Sequence, residues 1–152
     1  MIALDETDRA ILRALQEDAA RSAGEIGRMV DLSQPAAWRR INRLTDSGAI
    51  IGQRIDTDLE ALGFGVTVFL GVKLATKGRV SLSDFERAIS AIPEVQSVHH
   101  VLGLYDYRLR VVARDLSDFE RVLRRRIMTL PGVGEVEANV LLSEERRPGP
   151  IG

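Results

Sequence analysis

Apolar residues along this chain recur with two different periods, and the change of period divides it. Over residues 1–50 the spacing is helical and predicts three short helices. Asp5 is placed to cap the first, whose apolar face is Ile11, Leu12 and Leu15, preceded by Leu4. Ser22-Ala-Gly-Glu25 matches the S-x-x-E capping box and opens the second, with Ile26, Met29 and Val30 as its expected core face. Asp31-Leu32-Ser33 interrupts the pattern. Ser33 then caps a third helix, with Pro35 tolerated in its first turn, running to about Ser47 and stopped by Gly48. Gly48-Ala-Ile-Ile51 leads into a short extended piece around Gln53–Ile55, followed by a connector to Gly63.

From Phe64 the period becomes two. Phe64, Val66, Val68, Leu70, Val72 and Leu74 fall on one face of a strand. A helix over 82–92 carries Phe85, Ile89 and Ile92. Strands near 95–102 and 107–113 flank a turn at Gly103–Asp106. A long helix near 117–130 and a strand near 135–142 complete the order βαββαβ, the ferredoxin-like unit. The expected class is therefore α+β: a helix-turn-helix (winged-helix-like) domain over 1–50, a connector over 51–63, a ferredoxin-like domain over 64–143, and a flexible Pro/Gly-containing tail over 144–152.

The hexapeptide LSDFER occurs twice, at 82–87 and 116–121. Each copy also reads as a capping box, Ser83 with Glu86 and Ser117 with Glu120. The repeat thus marks two helix starts in a pseudo-symmetric fold. Carboxylates in a first helical turn are ordinary dipole and cap chemistry, so no shared catalytic role follows.

Composition narrows the function classes. The apolar fraction is 45% and the charged fraction 28%, values of an ordinary globular chain. Net charge is −1, which argues against whole-surface polyanion binding but leaves room for a local basic patch. There is no cysteine, which excludes disulfides, thiolate metal sites and a thiol nucleophile. Residues 1–10 lack the basic and apolar segments of a secretory signal, and Phe64–Ala75 is too short and contains Lys73, so a cytoplasmic, nucleoid-associated protein without membrane contact is expected.

The patch is in the third helix, QPAAWRRINRLTD. At about 100° per residue Ala37, Ile41 and Leu44 share a seam, while Pro35, Arg39, Asn42 and Asp46 lie opposite, with Trp38 and Arg43 on the flanks. Residues 34–45 carry Arg39, Arg40 and Arg43 and no acid. A buried seam behind Arg and Asn suits the DNA major groove, where arginine binds guanine O6/N7 or phosphate and asparagine pairs with adenine. Arg40 borders the seam and either pairs with an acid of the first helix or remains on the surface. Trp38 either packs half-buried or contacts sugar and thymine methyl groups. Gly27 is small where the second and third helices cross, and Asp31 is among the few residues tolerated in a left-handed turn.

These segments together resemble the Lrp/AsnC (leucine-responsive, feast/famine) family of transcriptional regulators. The resemblance rests on Leu4-Asp5…Asp8…Ile11-Leu12, on LSQPAAWRRINRLTDSGAI at 32–50, on Leu62-Gly63, and on VLGLYDYRLRV at 101–111. It implies a sequence-specific regulator that binds double-stranded DNA at a pseudo-palindromic operator, forms dimers and octamers or similar homo-oligomers, and binds an amino acid or other small-molecule effector between C-terminal domains. It requires no cofactor, metal or catalytic residue. Carried over by position, Ser33, Gln34, Trp38, Arg39, Asn42 and Arg43 face DNA, and Leu102, Gly103, Leu104, Tyr105 and Asp106 form the turn beside the effector pocket. Many members have Val-Thr-Gly where this chain has Val101-Leu102-Gly103, and a polar or charged residue where it has Leu104. An apolar effector, or none, fits that departure better than a charged one.

Two other readings compete. An architectural nucleoid protein would use the same helix with phosphate contacts and Arg124–Arg126, a run that otherwise reads as a solvated helix face. Sirohaem decarboxylases share the two-domain layout, but they carry an arginine and a histidine at positions where this chain has Gly103 and Tyr105. His99 and His100 are adjacent on a strand and point to opposite faces, so they do not act as a pair. The second sheet face should show Phe69, Val112 and Leu141 among Thr67, Arg110 and Asn139, a partly apolar surface suited to subunit contact.

Overall fold

Two apolar cores form, one for each period in the sequence. The computed structural model describes residues 2–75 and 81–151; Lys77 and the last residue of the predicted tail lie outside them. The chain divides into a unit of residues 1–56 with 145–152 and a unit of residues 57–144.

In the first unit, α1 (Glu6–Glu17), α2 (Ala23–Met29) and α3 (Gln34–Asp46) enclose Ile11, Ala14, Ile26, Ala37 and Leu44, with Leu12, Leu15, Val30 and Ile41 packed around them. The predicted caps form at all three starts. Asp5 and Asp8 exchange backbone and side-chain hydrogen bonds, as do Ser22 and Glu25, and Ser33 accepts from Ala36 N. Met29 departs from expectation, since it is 53% exposed. The buried face of α2 is centred on Ile26 and Gly27. Met29 stands about 60° to the far side of Ile26 from Gly27, and is turned to solvent.

The second unit is a four-stranded antiparallel sheet in the order β2-β3-β1-β4, built from β1 (Val66–Leu74), β2 (Val95–His100), β3 (Tyr107–Ala113) and β4 (Val133–Val140). Its core holds Val68, Leu70 and Val72 of β1, Tyr107, Leu109 and Val111 of β3, and the residues of two helical segments. The first, α4 (Leu82–Ser90), buries Phe85 and Ile89. The second, α5 (Leu116–Val122), buries Phe119 and Val122 and continues as a π-helical turn, Leu123–Ile127, that buries Ile127. The expected βαββαβ order is present, with β2 ending two residues early and β4 starting and ending two residues early.

The two LSDFER copies do occupy equivalent positions, but their caps are not the predicted ones. Each hexapeptide is already helical from its leucine. The residue before it holds the cap position: Ser81 for α4, without a side-chain bond to the helix, and Asp115 for α5, which accepts from Asp118 N at 2.7 Å. Ser83 instead meets Ser81 through their hydroxyls at 2.5 Å. Glu86 accepts from the buried Tyr107 hydroxyl at 2.9 Å, and Glu120 pairs with Arg124 at 2.7 Å. The pattern S-x-x-E placed each cap two residues late, and each glutamate serves a partner outside the cap.

On the sheet face away from the core, Phe69 lies between Arg110 and Asn139, and Gly71 between Arg108 and Glu137. Phe69 is exposed and Leu141 half-buried, as expected for that face, but Val112 is only 2% exposed. The segment after β4 stays along the sheet there: Leu141 N donates to Thr67 O, and Glu144 bridges to Arg110 at 2.8 Å.

Candidate nucleic-acid interface

The turn between α2 and α3 fixes how α3 is presented. Gly27 permits the tight return: a Cβ there would lie 2.6 Å from the Leu32 carbonyl oxygen, and Leu32 N donates to Gly27 O at 2.8 Å. Asp31 takes the left-handed conformation at φ 56°, as anticipated for the turn. Ser33 follows in extended geometry and caps α3. Gln34 lies at the first helical position with its amide beside Gly24.

With Ala37 and Leu44 buried, the opposite side of α3 is available. Trp38 is 58% exposed. Gln34 and Arg39 are exposed, and Asn42 is half-buried. Among the described residues Arg39 makes no hydrogen bond or ion pair. Arg40 does, as one alternative anticipated: its Nη1 contacts Asp5 Oδ2 at 2.6 Å and Asp8 Oδ1 at 2.9 Å. Arg43, expected to face DNA, also pairs, with its Nη2 2.5 Å from Asp8 Oδ2 and its side chain 56% exposed. Asp5, Ala36, Arg39, Arg40 and Arg43 line a shallow hollow of about 320 Å³.

Asp8 is the residue of this site that motif reading did not assign a role. It is 1% exposed. Burial pushes its carboxyl up, but hydrogen bonds from Arg43 and Arg40 outweigh burial and bring it below the ordinary carboxylate value. The Arg40 hydrogen bond likewise lowers Asp5, and Asp5 and then Asp8 raise Arg40. The usable signal was charge balance: three arginines in α3 against a single acid at its last position, Asp46, call for further counter-charges, and Asp5-x-x-Asp8 supplies two.

The turn at 102–106 separates its five candidates. Leu102, Gly103 and Leu104 point outward, the leucines 107% and 72% exposed. Tyr105 lies over Gly71, where a Cβ would come within 2.9 Å of its ring, and the Arg108 guanidinium sits 5.0 Å from the ring centre. Hydrogen bonding to Glu137 raises the Tyr105 pKa and lowers that of Glu137. Asp106 latches the turn: its N donates to Val72 O, its O accepts from Val101 N, and its Oδ2 accepts from Leu74 N, all at 2.9–3.0 Å. His99 and His100 face opposite sides of β2, and His100 stacks on Tyr107 at 4.8 Å. Among the described residues no three His, Cys, Asp or Glu side chains converge as a metal site.

The AsnC-type helix-turn-helix domain matches residues 4–45, and the Lrp/AsnC ligand binding domain matches residues 67–151. The transcriptional regulator AzlB of Bacillus subtilis is 33% identical over 96% of this chain and 93% of its own length. The proline dehydrogenase transcriptional activator of Rhizobium radiobacter is 34% identical over 96% of this chain and 94% of its own. A transcriptional regulator of Neisseria meningitidis, solved as a complex with L-methionine, superposes with a TM-score of 0.90 at 27% identity, covering 95% of this chain and 94% of that one.

Proposed function

This chain belongs to the Lrp/AsnC family of transcriptional regulators, and from that premise we propose how it divides its work. DNA is read by Ser33, Gln34, Trp38, Arg39, Asn42 and Arg43. The observation that carries this assignment is the outer side of α3, where Arg39 and Trp38 stand exposed on a helix whose seam and turn are fixed by Ala37, Leu44 and Gly27. Ser33 and the first turn suit phosphate positioning, and Arg39 and Asn42 suit base edges.

Assembly is assigned to the open sheet face around Phe69. Two copies present two copies of α3, and a pseudo-palindromic operator follows from the two-fold relation. Higher assembly, up to an octamer, extends from such dimers. The turn at 102–106 is the effector element. Leu102 and Leu104 are exposed apolar side chains, which favours an amino acid with an apolar side chain. The methionine complex of the Neisseria relative is in keeping with that class.

The relatives named above are regulators, and a sirohaem-transforming activity is not proposed. Incubating the pure protein with sirohaem should leave the pigment spectrum unchanged. Among the described residues no helix is long and apolar enough to cross a membrane. We place the protein in the cytoplasm, on the nucleoid. Footprinting on genomic fragments tests the central reading: protection of a few defined sites supports a specific regulator, while even coverage of every sequence favours packaging. A thermal-shift series with the twenty amino acids tests the effector, with apolar side chains expected to raise the midpoint.

A further inference from the structure

The three arginines of α3 are treated unequally by the fold. Arg39 is unpaired among the described residues, and Arg40 is tied to Asp5 and Asp8 against the body of the domain. Arg43 is between these states. One guanidinium nitrogen is anchored on Asp8 at 2.5 Å, yet the side chain remains 56% exposed.

The anchor itself is unusually fixed. Asp8 is 1% exposed and both its oxygens are engaged: Oδ1 by Arg40 at 2.9 Å, Oδ2 by Arg43 and, at 3.2 Å, by Asp5 N. It also belongs to the capping box of α1, so it cannot follow a moving partner without opening the helix start. A guanidinium has five N–H donors, so one bond to Asp8 leaves a free edge. An unanchored arginine on a helix flank is drawn to the nearest phosphate, a contact that carries no sequence information. An arginine with one edge fixed beside a carboxylate keeps its geometry and has part of its charge offset.

Resting on the DNA-reading role proposed above, we infer that Asp8 is a positioning residue for sequence recognition: from α1 it holds Arg43 so that the free guanidinium edge meets a base rather than the backbone. Asp8 touches no DNA in this scheme. It acts through Arg43, and its effect is on selectivity more than on total affinity.

The test begins with full-length wild type selecting sites from a random duplex pool. Kd is then measured for the selected site and for a scrambled duplex across a salt series, for wild type and Asp8→Asn. Asp8→Asn should bind scrambled DNA about threefold or more tighter, with the salt slope steeper by about 0.9, the value of one added phosphate contact. It should gain nothing on the selected site, so the selectivity ratio falls about tenfold, in the range of one base contact. An unchanged ratio and slope in a folded Asp8→Asn overturns the inference. In an Arg43→Gln background Asp8→Asn should not alter the ratio further; an additional loss there shows that Asp8 does not act through Arg43. If Asp8→Asn does not fold, Arg43→Lys decides: it keeps the charge and leaves the Asp8–Arg40 pair, but offers a point donor in place of an oriented edge. Selectivity should fall about tenfold with scrambled binding unchanged, and wild-type selectivity in Arg43→Lys overturns the inference. A wild type that enriches no site overturns the DNA-reading role and this inference together, whereas enrichment with an unchanged variant ratio overturns this inference alone.

Discussion

Arg39 and Arg40 are neighbours of identical chemistry, and the structure gives them opposite fates. Which alternative Arg40 takes could not be read from α3 alone, because its partners lie on α1, in Asp5 and Asp8. Helical phase placed Arg39 opposite the Ala37–Leu44 seam, and it is exposed there with no partner among the described residues. Arg39→Ala should therefore cost about 1–3 kcal/mol of binding to a preferred site if the side chain reads a base, with far less loss on scrambled DNA. Equal losses on both sequences, measured by fluorescence anisotropy, would reduce Arg39 to a phosphate contact. Arg40→Ala should show the reverse profile, with thermal stability lowered because the buried Asp8 carboxylate loses one of its two arginine partners. Gly27 and Asp31 were legible as residues for a close crossing and a left-handed turn, since few residue types satisfy either demand. Met29 was not, because its side depends on where α2 crosses its neighbour, a tertiary fact.

At the level of elements, the helix starts show how local patterns succeed and fail. Asp5, Ser22 and Ser33 cap as read, whereas both LSDFER copies begin one residue before the box they spell. The glutamates that completed the pattern are engaged elsewhere: Glu120 by Arg124 four residues on, a local pair, and Glu86 by Tyr107, a partner that only the packed fold reveals. Asp115→Ala should consequently cost about 1 kcal/mol in denaturant unfolding, and Ser117→Ala clearly less. A larger loss for Ser117→Ala would restore the original cap assignment. Asp118, in the first turn of α5, adds a pH dependence. Backbone donation from Arg114 N and then the Arg121 bond lower its pKa from 3.8 to about 2. Because the folded-state value is depressed, this contribution is fully present above pH 3.8 and is lost as pH falls towards 2. Asp118→Asn should lower Tm at neutral pH and flatten the decline of Tm across that acid window. A variant whose acid limb still runs parallel to that of the wild type would assign the acid sensitivity to other carboxylates.

For the molecule as a whole, charge bears on the proposed link between assembly and recognition. Net charge is −1, and two of the three arginines in α3 already face Asp5 or Asp8, so one copy offers DNA little long-range attraction. In the proposed dimer two recognition helices act at once, and joining the sites multiplies binding by about 10²–10⁴. The face proposed to join them was visible in the period-two pattern of β1, which places Phe69 opposite the core side of Val68 and Leu70. Its width was not, because Val112 is buried within the chain. That leaves Phe69, 37% exposed between Arg110 and Asn139, as the apolar centre of the open face. Phe69→Asp sets a carboxylate at that centre in both partners, where like charges meet with poor solvation. The variant should sediment as a monomer at concentrations where wild type does not, keep the wild-type circular dichroism spectrum, and bind a two-half-site operator at least a hundredfold more weakly. Its affinity for an isolated half-site should be unchanged, because α3 is untouched. An unaltered sedimentation profile would place the subunit contact on another surface, and a loss on the half-site as well would mean that the substitution damages the fold rather than the assembly.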